Sequence, residues 1–353
     1  MRKTALPAAL GAAALVLGAS ASAAPKSFSP HLNVSTPQPG GTSIGFNEAV
    51  ADAAPAKVTI YVDKGLTGHL SPAAGATIGT TAAKASAAAL GGAVLPLTGT
   101  IQVRAADGTY GSNGAQVPLA TASMACTGTA THTVFWVLAL TAAGQSLEVP
   151  VFVDDITATD PAAAFASASI TICLPSPSVP PPQGAAFGAK LISATLRLPG
   201  IFSGPAGEYR FRAVVTPYVA GSATPDTAGT VEIQGLDRAP SGISILARRS
   251  AKGKALITGR VYEAGFPGKG VPNVPVVIRG GKRVVSVKTG PAGGYRATVL
   301  TRSLVAKLTA TTVVPLRDLG ASACQATFSA QSIPCADAAI GGFTATSPAV
   351  KPR

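Results

Sequence analysis

Few side chains in this 353-residue sequence are spaced for catalysis. The three histidines, His31, His69 and His132, lie far apart and form no HxxxH or HExxH motif, so each is interpreted as an exposed or structural residue. The triplet at 288–290 repeats the KTG of serine β-lactamases, but no Ser-x-x-Lys segment accompanies it. No P-loop and no G-x-G-x-x-G fingerprint occurs. The sequence therefore predicts a protein without catalytic residues or cofactors, and not an enzyme.

Carboxylates cluster once, immediately after a predicted strand. Asp154, Asp155 and Asp160 offer the oxygen atoms that a hard cation such as Ca²⁺ prefers. They lack the alternation of an EF-hand loop, and no glutamate follows them. We therefore favour a solvated loop over a calcium site and predict no metal-binding residue.

The first residues are typical of an export signal. Arg2 and Lys3 precede a weakly polar to apolar stretch, 5–18, and the small-x-small cleavage sequence 21–23. The predicted signal peptide is therefore 1–23. Its apolar stretch is shorter than the roughly 20 residues of a membrane-spanning helix. We expect a secreted protein without a transmembrane segment, extracellular or held non-covalently at a bacterial cell surface.

Four cysteines suit that oxidising compartment. Cys126, Cys173, Cys324 and Cys335 have no CxxC spacing, which disfavours zinc and thioredoxin-like chemistry. Three pairings are open, and the local one, 126–173 with 324–335, respects the domain division given below. Cys126, Trp136 and Cys173 are similar to the Cys–Trp–Cys core of immunoglobulin sandwiches, but their short separation favours a generic disulfide beside a core tryptophan.

Period-2 alternation of apolar residues predicts an all-β fold. Clear runs lie at 57–63, 147–153 and 209–215, and Pro150 favours an edge strand or a bulge in the second. Arg210 and Arg212 of the third run are expected on its outward face. The alanine-rich stretch from Thr80 to Ala89 lacks an apolar stripe and is interpreted as a short helix or a loop.

Two β-sandwich units are predicted. Residues 24–238 form the larger one, with the proline-rich segment 175–182 as an internal crossover, because 184–235 supplies only about three strands. A split near residue 183 is the alternative. Residues 243–345 form a C-terminal immunoglobulin-like domain with a disulfide-bonded tail. Its short strands at 255–261, 274–278, 284–288 and 295–299 alternate with turns containing glycine or proline.

The C-terminal motifs have a family resemblance. Gly259-x-Val261, the segment 270–278 (GVPNVPVVI) and Thr289-x-x-x-Gly293-Gly294-Tyr295 resemble the bacterial carboxypeptidase-regulatory-like, or transthyretin-like, domain. The resemblance covers about 70 residues and departs at Gly290, where that family usually has an acidic residue. It implies a prealbumin-like β-sandwich that is generally non-catalytic and used as a spacer or surface module. The first two-thirds of the chain look like uncharacterised secreted bacterial proteins.

The net charge of +13 is concentrated in one segment. Residues 243–314 have thirteen basic side chains and one acidic one, Glu263, whereas 24–242 has ten basic and twelve acidic. Cations without buried partners must face solvent. We therefore predict a structural or interaction protein that attaches to anionic cell-wall or extracellular polymers, without specific nucleic-acid recognition. The alternative is a carbohydrate- or small-ligand-binding module in the N-terminal unit. The predicted anion-binding residues are Arg248, Arg249, Lys252, Lys254, Arg279, Lys282, Arg283 and Lys288.

Overall fold

The computed structural model describes residues 28–37, 41–112, 114–142, 144–181, 184–250, 254–280, 283–300, 307–325 and 333–352. The predicted signal peptide, 1–23, lies outside the described residues. The fold is all-β, as predicted, with several sheets in a β-sandwich-like arrangement. Among the described residues, no helix is long and apolar enough to cross a membrane.

The strands are numbered in chain order. The first part of the chain contains β1 (His31–Ser35), β2 (Thr42–Asn47), β3 (Pro55–Asp63), β4 (Thr67–Gly68), β5 (Thr77–Ala87), β6 (Ala93–Arg104), β7 (Thr109–Ser112), β8 (Ala115–Pro118), helix α1 (Leu119–Thr127), β9 (Val134–Ala142), β10 (Gln145–Asp155), β11 (Ala166–Cys173), β12 (Ala189–Leu198), β13 (Phe202–Ser203), β14 (Gly207–Pro217) and β15 (Val231–Ala239). The second part contains β16 (Gly242–Ser250), β17 (Lys254–Glu263), β18 (Lys269–Gly270), β19 (Pro275–Gly280), β20 (Arg283–Lys288), β21 (Gly294–Leu300), β22 (Leu308–Val314), β23 (Arg317–Asp318), β24 (Cys335–Ile340) and β25 (Phe343–Thr346).

One large sheet forms the first unit. Its strand order is β1-β2-β12-β5-β6-β9-β10-β11-β3-β14-β15-β24-β23, and every pairing is antiparallel except β15 with β24. The sheet curls so that β1 packs across β15 and β24. The amide of Thr36 donates to Asp237 Oδ1 at 3.0 Å, and the amide of Gly342 donates to Asn33 Oδ1 at 2.9 Å. The strands on both sides of the proline-rich crossover therefore belong to the same sheet.

The three alternating runs are strands with the predicted faces buried. Val58, Ile60 and Val62 of β3 lie in the core of the large sheet. In β10, the pairing with β11 begins only at Val151, so Pro150 needs no amide hydrogen on that side. Arg212 lies on the outward face, as expected, but is buried there. Its side chain is covered by Phe165, with the guanidinium carbon 4.5 Å from the ring centroid, and its Nη1 lies 3.4 Å from Glu232 Oε1.

The expectation of a helix or loop at Thr80–Ala89 is wrong. The segment is mostly strand β5, which pairs with β12 on one side and β6 on the other, and only 88–90 turns into a 3-10 helix. Two-sided pairing outweighs the modest helix preference of alanine, which is a weak local bias. The α-helix lies instead at α1, where Leu119 and Phe135 share a small cluster on the outer side of β9 and β10.

The second unit is a sandwich of two four-stranded sheets. One contains β16, β17, β18 and β21, and the other has the order β20-β19-β22-β25. The residues of the family resemblance stabilise its turns. Thr289 Oγ1 donates to the carbonyl of Val271 at 2.8 Å and accepts from the amide of Val274 at 3.0 Å. The Tyr295 hydroxyl donates to the carbonyl of Ser244 at 2.6 Å. These motif residues therefore have structural contacts.

The segment after β22 leaves the sandwich and returns to the first unit. β24 adds in parallel to β15, and β23 pairs with β24 at the sheet edge, before β25 completes the sandwich. The predicted domain 243–345 therefore needs correction, since 317–340 belongs to the large sheet. A strand can satisfy its backbone hydrogen bonds at the edge of either sheet. Local sequence does not show which of the two sheets β24 joins.

Both disulfides have the local pairing. Cys126 of α1 is bonded to Cys173 at the end of β11, and Cys324 is bonded to Cys335 at the start of β24. Trp136 does not pack on the first bridge. Its ring faces the inner core and its Nε1 donates to the carbonyl of Leu70 at 3.2 Å, whereas Cys126 packs with the cluster on the opposite face of β9. The bridge is thus a local staple and not part of an immunoglobulin-type core.

Candidate anion-binding surface

Four cationic side chains share the outward face of one sheet in the second unit. Ala255, Ile257 and Val261 of β17 point into the core. The alternate positions Lys254 and Arg260 therefore point outward, and Arg248 of β16 and Arg296 of β21 lie on the same face. We call Arg248, Lys254, Arg260 and Arg296 the basic face.

The register places these four residues close together. Arg248 lies opposite Leu256, and Arg296 lies opposite Thr258 on the other side of β17. With a rise of about 3.4 Å per residue and about 4.8 Å between strands, the four positions fall within roughly 20 Å along β17. A polymer with regularly spaced negative charges could therefore contact all four along one strand direction.

No carboxylate of the same segment neutralises this face. Glu263, which is the single acidic residue of 243–314, is buried at the junction with the first unit. Its Oε2 lies 3.3 Å from Arg238 Nη1, and its Oε1 accepts from Arg317 Nη2. Its charge is therefore paired within the fold, with Arg238 and Arg317, and is not directed at the basic face.

A shallow groove of about 420 Å³ lies beside Arg260. Its walls include Leu246 and Phe266, which are 49% and 64% exposed, together with Thr258 and Pro267. Arg260 Nη2 donates to the carbonyl of Gly268 at 3.0 Å, which fixes the guanidinium at the groove. The basic face therefore has exposed apolar side chains next to positive charge. This combination suits a polymer that has negative charges on an apolar backbone.

The predicted set of cations does not form one surface. Arg249 alternates away from Arg248, and Arg279 and Lys288 lie on the outward face of the other sheet. Lys252 and Lys282 lie outside the described residues, and the side chain of Arg283 is likewise not described. The described residues of this set therefore lie on different faces, because a sandwich presents its two outer faces in opposite directions, and their binding of anions stays a prediction.

Two members of the basic face, Arg260 and Arg296, were missed by the sequence prediction. The alternation of inward and outward positions could have identified both residues. Arg260 is six positions after Lys254 in the same strand and so faces the same side, and Arg296 follows the inward-facing Tyr295. Counting basic residues along the chain finds the charged segment, but only parity and strand pairing assign charges to a face.

A second constellation lies in the first unit, where Ser123, His132 and Asp154 form a hydrogen-bonded chain. His132 Nε2 lies 2.7 Å from Ser123 Oγ, and its Nδ1 lies 2.7 Å from Asp154 Oδ2, which is the contact pattern of a Ser–His–Asp triad. No sequence motif signals it, because α1, the following loop and β10 bring the residues together.

Burial excludes a nucleophilic role for Ser123 in this conformation. Ser123 has no exposed surface and its Oγ also donates to the carbonyl of Thr129. The His132 ring stacks on Phe152 with centroids 5.2 Å apart. Ser123 Oγ is therefore not accessible to a substrate carbonyl in this conformation.

A G-x-S-x-G pattern lies at 41–45 and has no catalytic geometry. Its serine, Ser43, lies within β2, paired with Ser35 of β1 and Arg197 of β12. A nucleophile elbow requires a sharp strand-to-helix turn. A serine inside a three-stranded ladder does not meet that requirement.

The carboxylates expected in a solvated loop do not converge on a cation. Asp154 binds His132 and the amide of Thr133, and Asp160 accepts from the amide of Ala162 at 2.7 Å as the cap of a 3-10 helix. Asp155 is exposed at the end of β10. Each carboxylate therefore has a separate environment.

The fold defines an all-β protein of two joined units. No protein-family model matches the chain, and no curated protein matches it. A solved structure that is similar over 91% of this chain and 73% of its own, at 15% identity and a TM-score of 0.19, is described as "Ca2+-stabilized adhesin helps an Antarctic bacterium reach out and bind ice". A TM-score this low carries no argument about this chain.

Proposed function

We propose that this chain is a secreted, non-catalytic interaction protein that attaches to anionic cell-wall or extracellular polymers through the basic face. The main support for this proposal is that the four cations of the basic face share one side of a sheet. Glu263, the one acidic residue of 243–314, is buried elsewhere. Repeating phosphate, sulfate or carboxylate groups would exchange their counterions for these side chains. The neighbouring groove supplies apolar contact to the backbone of the polymer.

The proposed extracellular location rests on two features. Both disulfides persist only in an oxidising space, and residues 1–23 have the pattern of an export signal. Export is tested by expressing the full-length chain and a chain lacking 2–23 and assaying the medium and cell fractions. Retention of both chains inside the cell would contradict secretion.

The test of attachment uses the mature chain, because β24 completes the large sheet and removal of the C-terminal part would disrupt the first unit. Binding to immobilised poly(glycerol phosphate) and to heparin is measured at several salt concentrations. With the value of about 0.7 per contact of a single-stranded polyanion, four ionic contacts predict a slope of about −2.8 in log K against log salt, or roughly 50-fold weaker binding between 50 and 200 mM salt.

A matched pair of variants separates the basic face from net charge. Arg248→Gln/Arg296→Gln removes two charges from the basic face, and Arg279→Gln/Lys288→Gln removes two from the opposite face. The first variant should bring the slope about 1.4 closer to zero and weaken binding at low salt. The second should retain the slope of the unmodified protein. Equal losses in both variants would show that only net charge matters.

Salt-insensitive binding of a neutral glycan by both variants would overturn the proposal in favour of a carbohydrate-binding site in the N-terminal unit. Binding of neither polymer by the unmodified protein would leave a spacer role. A glycan and polymer array at two salt concentrations distinguishes these outcomes in one measurement.

A further inference from the structure

Three potential metal ligands meet at the edge of the large sheet. His31 begins β1, Asp318 ends β23, and Asp337 lies in β24. One ligand atom from each lies within 4.8 Å of the other two, and His31 Nδ1 is 2.8 Å from Asp337 Oδ2. This group is separate from the basic face and from the Ser123 network.

The two carboxylates of this group have no lysine or arginine partner among the described residues. His31 is the ion-pair partner of Asp337. The Asp337 side chain is 5% exposed. Two neighbouring carboxylates repel each other, and a bound cation would relieve that repulsion.

The backbone around the group is held in place. Sγ atoms of Cys324 and Cys335 both lie 3.5 Å from the carbonyl oxygen of Asp337. The amide of Gly320 binds Asp318 Oδ1 at 2.8 Å, which orients that carboxylate. A disulfide and a turn thus position the two oxygen ligands, and β1 positions the nitrogen ligand. Contacts that hold the ligand residues in place in this way strengthen metal binding.

We propose that His31, Asp318 and Asp337 bind a divalent transition-metal ion such as Zn²⁺. One imidazole nitrogen and two carboxylate oxygens form a ligand set of the kind that zinc and its neighbours accept, with the exposed side open to water. Calcium prefers six to eight oxygen ligands and is disfavoured by the imidazole. Ligands about 2.0–2.2 Å from a metal lie about 3.0–3.5 Å apart, so the 2.8 Å contact needs only a small expansion.

The metal would join the beginning of the described chain to its returning strands. His31 and Asp337 are 306 positions apart in sequence, and their strands pack across each other where the large sheet curls. Binding to the folded state alone raises the melting temperature in proportion to the logarithm of the free metal concentration.

The experiment uses the mature, tag-free chain after dialysis against a chelator. Isothermal titration with Zn²⁺ should give one ion per chain, with a rise in melting temperature, and Ca²⁺ should give neither effect. Co²⁺ substitution should produce visible d–d absorption of a bound ion. Asp318→Asn and His31→Gln should abolish the one-to-one binding, while His69→Gln and Asp107→Asn, which change exposed residues elsewhere, should retain it.

The metal-free melting temperature of each variant shows whether it folds. Asp318 is exposed, so Asp318→Asn tests the site without disturbing a core. Absence of Zn²⁺ binding by the unmodified chain would overturn the proposal. Retention of full binding by both His31→Gln and Asp318→Asn, or binding of Ca²⁺ that persists in His31→Gln, would overturn it equally.

Discussion

Glu263 of the second unit is buried against Arg238 of the first, with Oε2 3.3 Å from Nη1. Arg317, on the returning strand β23, binds the other oxygen of the same carboxylate. The single acidic residue of 243–314 therefore joins three segments at the junction. This contact holds the two units together, and it directs the single carboxylate of that segment away from the basic face.

Glu263→Gln should lower the free energy of unfolding by roughly 3 kcal/mol, because loss of a buried carboxylate leaves two guanidinium groups with a neutral partner. Glu208→Gln is the matched control. Glu208 binds the same Arg238 at 2.7 Å but is half-exposed, so its loss should cost less than about 1 kcal/mol. Urea denaturation measures both values. Equal effects would contradict the role of the buried junction.

Glu48 should make stability depend on pH. Its side chain is fully buried, and burial raises its pKa from 4.5 to about 8 despite the attraction of Lys190, whose ammonium lies 3.3 Å from Oε1. That ammonium directs its hydrogen bonds to the carbonyls of Ala49, Val50 and Asp52, so it offers Glu48 charge without an aligned hydrogen bond.

The native state therefore retains a proton that the unfolded chain releases above pH 4.5. The contribution of Glu48 to stability should be greatest below that value and should be lost as pH rises towards 8. In Glu48→Gln this component of the pH dependence should vanish, whereas Asp107→Asn, at an exposed turn, should retain it. Chemical denaturation between pH 5 and 9 measures the slopes, and an unchanged slope in Glu48→Gln would refute the assignment.

Ser123 should be unreactive in the native protein. Its contacts with His132 are those of an activated serine, but the residue is wholly buried on the inner side of α1. A fluorophosphonate probe should therefore label neither the native chain nor Ser123→Ala, while an active serine esterase treated in parallel is labelled. Stoichiometric labelling that Ser123→Ala abolishes would show that α1 opens and that the network is catalytic.

Much of the fold was predictable from local pattern. Half-buried strands such as β3 and β17 alternate with period 2, so their faces follow from the residues themselves. The alanines of β5 carry no such contrast, because alanine is compatible with either face and with a helix. The return of β24 to β15 was not predictable, since that pairing joins residues about a hundred positions apart.

The sites were predictable only in part. The positive charge of 243–314 was evident from the sequence. Its division between two faces depends on which strands pair, and the pairing places Arg279 and Arg296 on the two opposite outer faces of the sandwich. His31 and Asp337 meet because a sheet curls. Sequence spacing contains no trace of that contact, so reasoning from motifs interpreted His31 only as an exposed or structural residue.

Gly259 lies where the ring of buried Tyr295 crosses β17. A Cβ added at 259 would overlap both the Tyr295 hydroxyl and the carbonyl of Ser244 that this hydroxyl binds. Gly259→Ala should therefore push Tyr295 out of place and lower the free energy of unfolding by about 1–3 kcal/mol. Gly294→Ala is the control, because the nearest atom to its added Cβ would be 3.9 Å away.

A double-mutant cycle tests the cause. In a Tyr295→Ala background the ring is absent, so Gly259→Ala should cost less than it does in the unmodified chain, with a coupling of about 0.5–3 kcal/mol. The part of the cost that remains reports the overlap with the Ser244 carbonyl, since that group belongs to the backbone. Strict additivity of the two substitutions would show that the ring does not explain the glycine, and that the backbone contact alone requires it.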